Sequence, residues 1–162
     1  MAILQQKRRG MSGSLVLCLL LLLPTLAYAQ EEQTGGDEEI LVSLVVRGIG
    51  NIELPAVISN DSLYLPVADI FDYLLIKNAP SESLNSVSGF FIDESAPYVI
   101  DKNTATIKLG KTVINLGKDD LIRTETGLYL KLRYFGEVFG LRSVFNFWAL
   151  LVCIVSDQGL PV

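Results

Sequence analysis

Apolar and polar positions alternate in short runs along most of the chain and twice switch to a helical spacing. Ile40 to Val46 is rich in branched residues and predicts a strand. Gly48-Ile49-Gly50-Asn51 turns the chain. Ile52 to Ile58 predicts a second strand, with Pro55 pointing to an edge or a bulge. After Asn60-Asp61 comes Leu63-Tyr64-Leu65, a short strand that runs straight into Val67, Ile70, Phe71 and Leu74. Those four fall at i, i+3, i+4 and i+7, one face of an amphipathic helix. Pro66 suits the first helical position, where no backbone N–H is needed. Lys77 to Ser88, a polar segment with Ser81, Ser83, Asn85, Ser86 and Ser88, reads as a loop with room for a helical turn around Leu84.

The middle of the chain is denser in strands. Gly89 to Asp93 and Tyr98 to Asp101 are two, separated by Glu94-Ser95-Ala96-Pro97. Thr104 to Leu109 and Thr112 to Leu116 alternate on either side of Gly110-Lys111, which predicts a β-hairpin. Leu121-Ile122-Arg123 leads into Leu128-Tyr129-Leu130 and a second helical face of Leu132, Phe135 and Phe139, stopped by Gly140. Ser143 to Phe147 and Leu150 to Val155 read as a closing hairpin around Trp148-Ala149.

Two stretches read almost alike. Leu63 to Leu74 and Leu128 to Phe139 share Leu-Tyr-Leu at a constant offset of 65 residues. Val67/Leu132, Ile70/Phe135, Asp72/Glu137 and Leu74/Phe139 are chemically similar, and a polar turn precedes each copy. Each helix, about three turns long, is too short to stand alone in water and must pack on strands. Strands, helix, strands, helix, strands, most of them joined by short turns, predict an α+β fold. The expectation is two related units, residues 40–109 and 110–156, each a mainly antiparallel twisted sheet packed on one short helix.

The ends carry a different signal. Lys7, Arg8 and Arg9 precede an unbroken apolar run from Leu15 to Leu23, then Pro24 and Ala27-Tyr28-Ala29. That is the layout of a signal peptide over residues 1–29, cleaved after Ala29. The run is short for a membrane span of about 20 residues, and a retained anchor is the competing reading. No membrane span is expected once the signal is removed. Five acids between Glu31 and Glu39 flank Thr34-Gly35-Gly36, so residues 30–39 read as an acidic, flexible leader, and 157–162 as a tail. Cleavage would leave 133 residues, one ordinary domain, and would remove three positive charges and no negative one, taking the net charge from −5 to −8. From Ile40 on there are 13 acidic and 10 basic residues with no basic run, which argues against nucleic acid as a partner. Cys153 would be the remaining thiol, inside an apolar strand where it acts as a small hydrophobe.

Chemistry is sparse. The absence of histidine excludes histidine triads, histidine metal sites and histidine general bases. No glycine-rich loop has phosphate-binding spacing. Asp69 and Asp72 share the solvent face of a helix, and Asp119-Asp120 sits in a turn without the ligand spacing of a calcium loop. No cofactor and no metal is expected. The aromatics near the hairpins read mostly as core. Trp148, at a hairpin turn with Phe147 and Phe145 beside it, is the candidate partner contact, although burial is its plainer reading.

Leu63-Tyr64-Leu65-Pro66-Val67, then Asp69-Ile70-Phe71-Asp72-Tyr73-Leu74 and a strand hairpin, resembles the copper amine oxidase N-terminal-like domain. The resemblance covers roughly Ile40 to Val155 and is strongest at Ser62–Leu74 and Gly127–Val155. The first copy departs from the pattern by its serine-rich segment, and the second has Lys131 where the proline usually stands. The resemblance implies tandem copies of a twisted antiparallel sheet wrapped on one helix, in a secreted or cell-surface protein. It concerns the accessory module rather than the catalytic domain, so it implies no copper. More weakly, the whole segment through Gly159-Leu160-Pro161-Val162 is similar to the amino-terminal region of usher-like outer-membrane proteins. Two functions follow as expectations. One is an exported, non-catalytic binding or assembly module, periplasmic or outer-membrane-associated, whose partner is an envelope protein or a surface polymer. The other is an envelope hydrolase or metal-dependent enzyme built from Asp and Glu alone.

Overall fold

In the computed structural model, residues 38–156 and 159–160 are described. The expected signal segment 1–29, the expected leader as far as residue 37 and most of the expected tail lie outside the described residues.

Twelve strands and two short helices follow one another along the described chain. A seven-stranded sheet holds β1 (Glu38–Val46), β2 (Gly50–Ser59), β3 (Ser62–Pro66), β9 (Leu121–Arg123), β10 (Leu128–Lys131), β11 (Leu141–Asn146) and β12 (Leu151–Ser156), in the order β11-β12-β1-β2-β3-β10-β9. A five-stranded meander holds β4 (Lys77–Pro80), β5 (Ser86–Phe90), β6 (Pro97–Asp101), β7 (Thr106–Leu109) and β8 (Thr112–Asn115) in sequence order. β1 runs parallel to β12, and the other pairings among the described residues are antiparallel. The fold is thus sheet-rich, with α1 (Val67–Tyr73) and α2 (Arg133–Phe139) as its helices.

The sheets do not divide at residue 109 as the one-sheet-per-unit expectation requires. Residues 109 and 110 lie within the β7–β8 hairpin, where Leu109 pairs with Thr112. Each sheet therefore takes strands from both halves of the chain. The two Leu-Tyr-Leu strands are themselves neighbours: Tyr64 opposes Lys131, Leu65 opposes Leu130, and Pro66 opposes Tyr129.

Alternation explains the large sheet. Val42, Leu44 and Val46 of β1 are buried, and so are Val152 and Ile154 beside them on β12. Pro55 lies inside β2, opposite Leu41, but the β2–β3 register starts only at Val57, so β2 is locally an edge at the proline. Val67, Ile70, Phe71 and Leu74 are all buried, as are Phe135 and Phe139. Phe71 of α1 packs edge-on against Phe135 at 6.1 Å, Phe139 at 5.2 Å and Tyr98 of β6 at 5.2 Å. Both helices and the small sheet thus share one core, held by aromatic pairs.

Several expectations change in detail. Each helix has seven residues, about two turns rather than three. Pro66 is the last residue of β3 and caps α1 from outside its first turn. Leu132 is likewise the residue before α2 and is half-buried. Gly140 ends α2 in the left-handed conformation, φ 67°, as its sequence position predicts. The Lys77–Ser88 loop is instead β4, a turn with Leu84 at φ 56°, and the start of β5. β5 ends at Phe90, so Phe91 to Asp93 lie beyond the strand expected there. Gly89 allows this pairing: a Cβ on it would sit 1.8 Å from the Lys77 carbonyl oxygen. Cys153 is half-buried on β12 rather than fully enclosed.

Candidate functional site

The closing hairpin is built by β11 and β12 in continuous antiparallel register from Leu141 opposite Ser156 to Asn146 opposite Leu151. Its turn is tied from within. The side-chain oxygen of Asn146 accepts from the backbone N–H groups of Trp148 and Ala149, at 3.1 and 3.2 Å. That is the asparagine's usual way of closing a turn on its own backbone. Leu150 completes the reversal at φ 46°.

The three aromatics named from the sequence are brought together here. Phe145 and Phe147 meet edge-on at 6.1 Å, and Phe147 meets Trp148 at 6.3 Å. Their exposure grades outward. Phe145 packs against the core, Phe147 is 58% exposed and Trp148 is 95% exposed. Burial, the plainer reading of Trp148, is therefore overturned: the turn lifts the indole off the end of the sheet. Val144, 71% exposed, adds an apolar side chain on β11. β11 is also the terminal strand of its sheet, paired on one side by β12. An unpaired edge presents backbone N–H and C=O groups to any incoming strand.

A second cluster centres on Asp120, which the sequence placed in a turn and which the structure buries. Its carboxylate accepts from the Tyr134 hydroxyl at 2.6 Å and from the Gly117 backbone N–H at 2.7 Å. Lys131 and Arg133 lie 3.6 and 3.5 Å away. Burial pushes this carboxyl up. The Tyr134 hydroxyl, the Gly117 N–H, Arg133 and Lys131 together outweigh it and hold Asp120 below the usual carboxylate range. Asp119, its neighbour, stays exposed, and its backbone carbonyl accepts from the buried Tyr64 hydroxyl at 2.6 Å. Asp120 is thus an anchor between the β8–β9 connection and the start of α2. The pairing was invisible in the sequence because Tyr134 reads there simply as part of an amphipathic helix.

Asp69 and Asp72 are exposed on α1, as expected. Burial first, and then the nearby Asp72 charge, push the Asp69 carboxyl up. Among the described residues no three Asp, Glu or Cys side chains converge in a way that could hold a metal ion. No helix among them is long and apolar enough to cross a membrane. Comparison of the chain with protein-family models, with curated proteins and with solved structures returns no match.

Proposed function

We propose that this chain is an exported, non-catalytic binding or assembly module of the cell envelope, and that it engages a partner protein or surface polymer through its closing hairpin. The observation that carries the reading is the position of Trp148. A large aromatic at the tip of a hairpin whose outer strand is a sheet edge is left 95% exposed, touching little beyond the Phe147 ring among the described residues. Exposed aromatics of this kind contribute much of the binding energy at protein interfaces.

The same reading takes the domain as two related units of an α+β kind. Leu65 and Leu130, 65 residues apart, oppose each other across the β3–β10 ladder. Two equivalent residues facing each other in an antiparallel pair put a local two-fold axis between the copies. Each copy then continues into a seven-residue helix, and the helices meet through Phe71, Phe135 and Phe139. That geometry supports the resemblance to tandem copper amine oxidase N-terminal-like modules, although the sheets exchange strands between the copies. The signal-like leader and the weaker usher-like similarity give the envelope assignment. The alternative, an enzyme of Asp and Glu alone, gains no support from Asp120. Its carboxylate is occupied by a tyrosine, a backbone amide and two cations, which leaves little of it for a reacting proton.

The test is recovery of partners from envelope extract by the parent and by Trp148→Ala. Selective loss of partners from the variant, with an unchanged melting temperature, is the expected result. Equal recovery would show that the hairpin is not the contact surface.

A further inference from the structure

The edge of the large sheet opposite to the hairpin carries a cleft of about 250 Å³ beside β9. It is lined by cations from three separate segments: Lys102 in the turn after β6, Lys118 in the connection before β9, and Arg123 on β9 itself. Ser59, Asn60 and Asp119 complete its polar wall. Three cations against one carboxylate leave two positive charges in excess, in a chain whose formal net charge is −5. No carboxylate of a described residue forms an ion pair with any of the three; Asp120 nearby pairs instead with Lys131 and Arg133.

Two of the cations also have structural duties that fix them in place. Lys102 Nζ donates to the Leu121 carbonyl at 2.6 Å, and Arg123 Nε donates to the Ser83 carbonyl at 2.9 Å. These bonds tie the small sheet and its β4–β5 turn to β9. They use one N–H of each group, leaving two on the ammonium and the outer fork of the guanidinium free to donate. Lys118 makes no bond to a described residue. Its loop is nevertheless held, because Asp120 accepts from Gly117, Tyr64 bonds the Asp119 carbonyl, and the Lys131 N–H bonds the Asp120 carbonyl at 3.1 Å.

We propose that this cleft binds a compact, multiply charged oxyanion of the phosphate class. A guanidinium fork and two ammonium groups, carried into one cleft by three separate segments, supply many donors, which suits a tetrahedral oxyanion better than a single carboxylate. The volume admits a phosphate-sized group with several waters, each needing about 30 Å³. Three like charges offset by one carboxylate still repel one another, and a bound anion would relieve that repulsion. The phosphate could belong to a soluble molecule or to a lipid headgroup, and the chemistry at the cleft is the same.

The experiment titrates the purified protein with inorganic phosphate at constant ionic strength, chloride replacing phosphate, and follows backbone amide resonances. Saturable shifts confined to the region of Lys102, Gly117 to Asp119 and Arg123 are expected. Lys118→Ala should weaken binding roughly tenfold without changing the melting temperature, since one charge-assisted contact is lost. Lys118→Glu should weaken it further. Sedimentation with phosphatidylglycerol vesicles, but not with phosphatidylcholine vesicles, that is lost in Lys118→Glu would assign the phosphate to a lipid surface. Phosphate binding without vesicle binding would assign it to a soluble ligand. The proposal is overturned if inorganic phosphate gives only diffuse, unsaturable shifts, or if both Lys118 variants bind it as tightly as the parent.

Discussion

Tyr134 donates its phenolic hydrogen to Asp120 across 2.6 Å, joining the first turn of α2 to the connection that precedes β9. The acceptor is charged and buried, so the bond is stronger than an ordinary neutral one. Asp120→Asn keeps the shape and removes the charge. At neutral pH it should cost about 1–3 kcal/mol, the range for a hydrogen bond to a charged group and the partners left behind. The pH dependence follows from the direction of the shift. A carboxyl held below its ordinary value stabilises the fold above that value, and the contribution disappears as pH falls through the lower folded value. Urea denaturation of parent and variant from pH 7 down to about pH 2.5 should therefore show a gap that narrows in acid. A gap of constant size would mean that the charge of Asp120 plays no part.

Gly89 makes a sharper test of the β4–β5 pairing. An added methyl would meet the Lys77 carbonyl oxygen at 1.8 Å and the Asn78 Cα at 3.0 Å, both backbone atoms that cannot swing aside. The same Lys77 carbonyl accepts from the Tyr98 hydroxyl at 3.2 Å, so a shift of β4 would break that bond too. Gly89→Ala should destabilise by about 3 kcal/mol, the upper part of the range for forced overpacking. Gly127→Ala is the control, because nothing lies within 4 Å of its added Cβ. Equal midpoints for the two variants in urea would contradict the close approach of β4 and β5.

The helices should be equally indispensable. Ile70 and Phe135 lie 65 residues apart on the two helices, and both are fully buried. Ile70→Ala and Phe135→Ala should each cost about 2–5 kcal/mol, because a large side chain is removed and the cavity collapses only in part. Denaturation midpoints within half a kcal/mol of the parent, converted with the parent's slope, would refute the core assignment.

Local pattern made much of this legible. The helical spacing of Val67, Ile70, Phe71 and Leu74 located α1, and Gly140 located the end of α2, because capping and amphipathicity act within a few residues. The hairpin across Gly110-Lys111 was visible for the same reason. β4 was not, because Lys77 to Pro80 is mostly exposed and its pairing rests on a missing side chain at Gly89. The mixing of strands between the halves was not legible either, since no local signal says that β1 will lie beside β12. The aromatic tip was found, but its exposure was not, because sequence cannot tell whether a turn points inward or outward. The cationic cleft was missed because Lys102, Lys118 and Arg123 are scattered along the chain and meet only in three dimensions.

The parallel ladder of β1 with β12 pairs Ser43 with Leu151 and Val46 with Ile154, so the first described strand is stitched to the last. β12 also separates β1 from β11 in the sheet. Until the last strand is available, β1 has an open side and β11 has no place to dock. Such distant pairings carry their loop-closure entropy before they return any contact energy, and they fold slowly. A chain that emerges amino terminus first, through a ribosome or a translocation channel, would therefore hold this sheet incomplete until residues near 156 are released. Until then the backbone edge of β1 from Ser43 to Val46 lacks its partner strand.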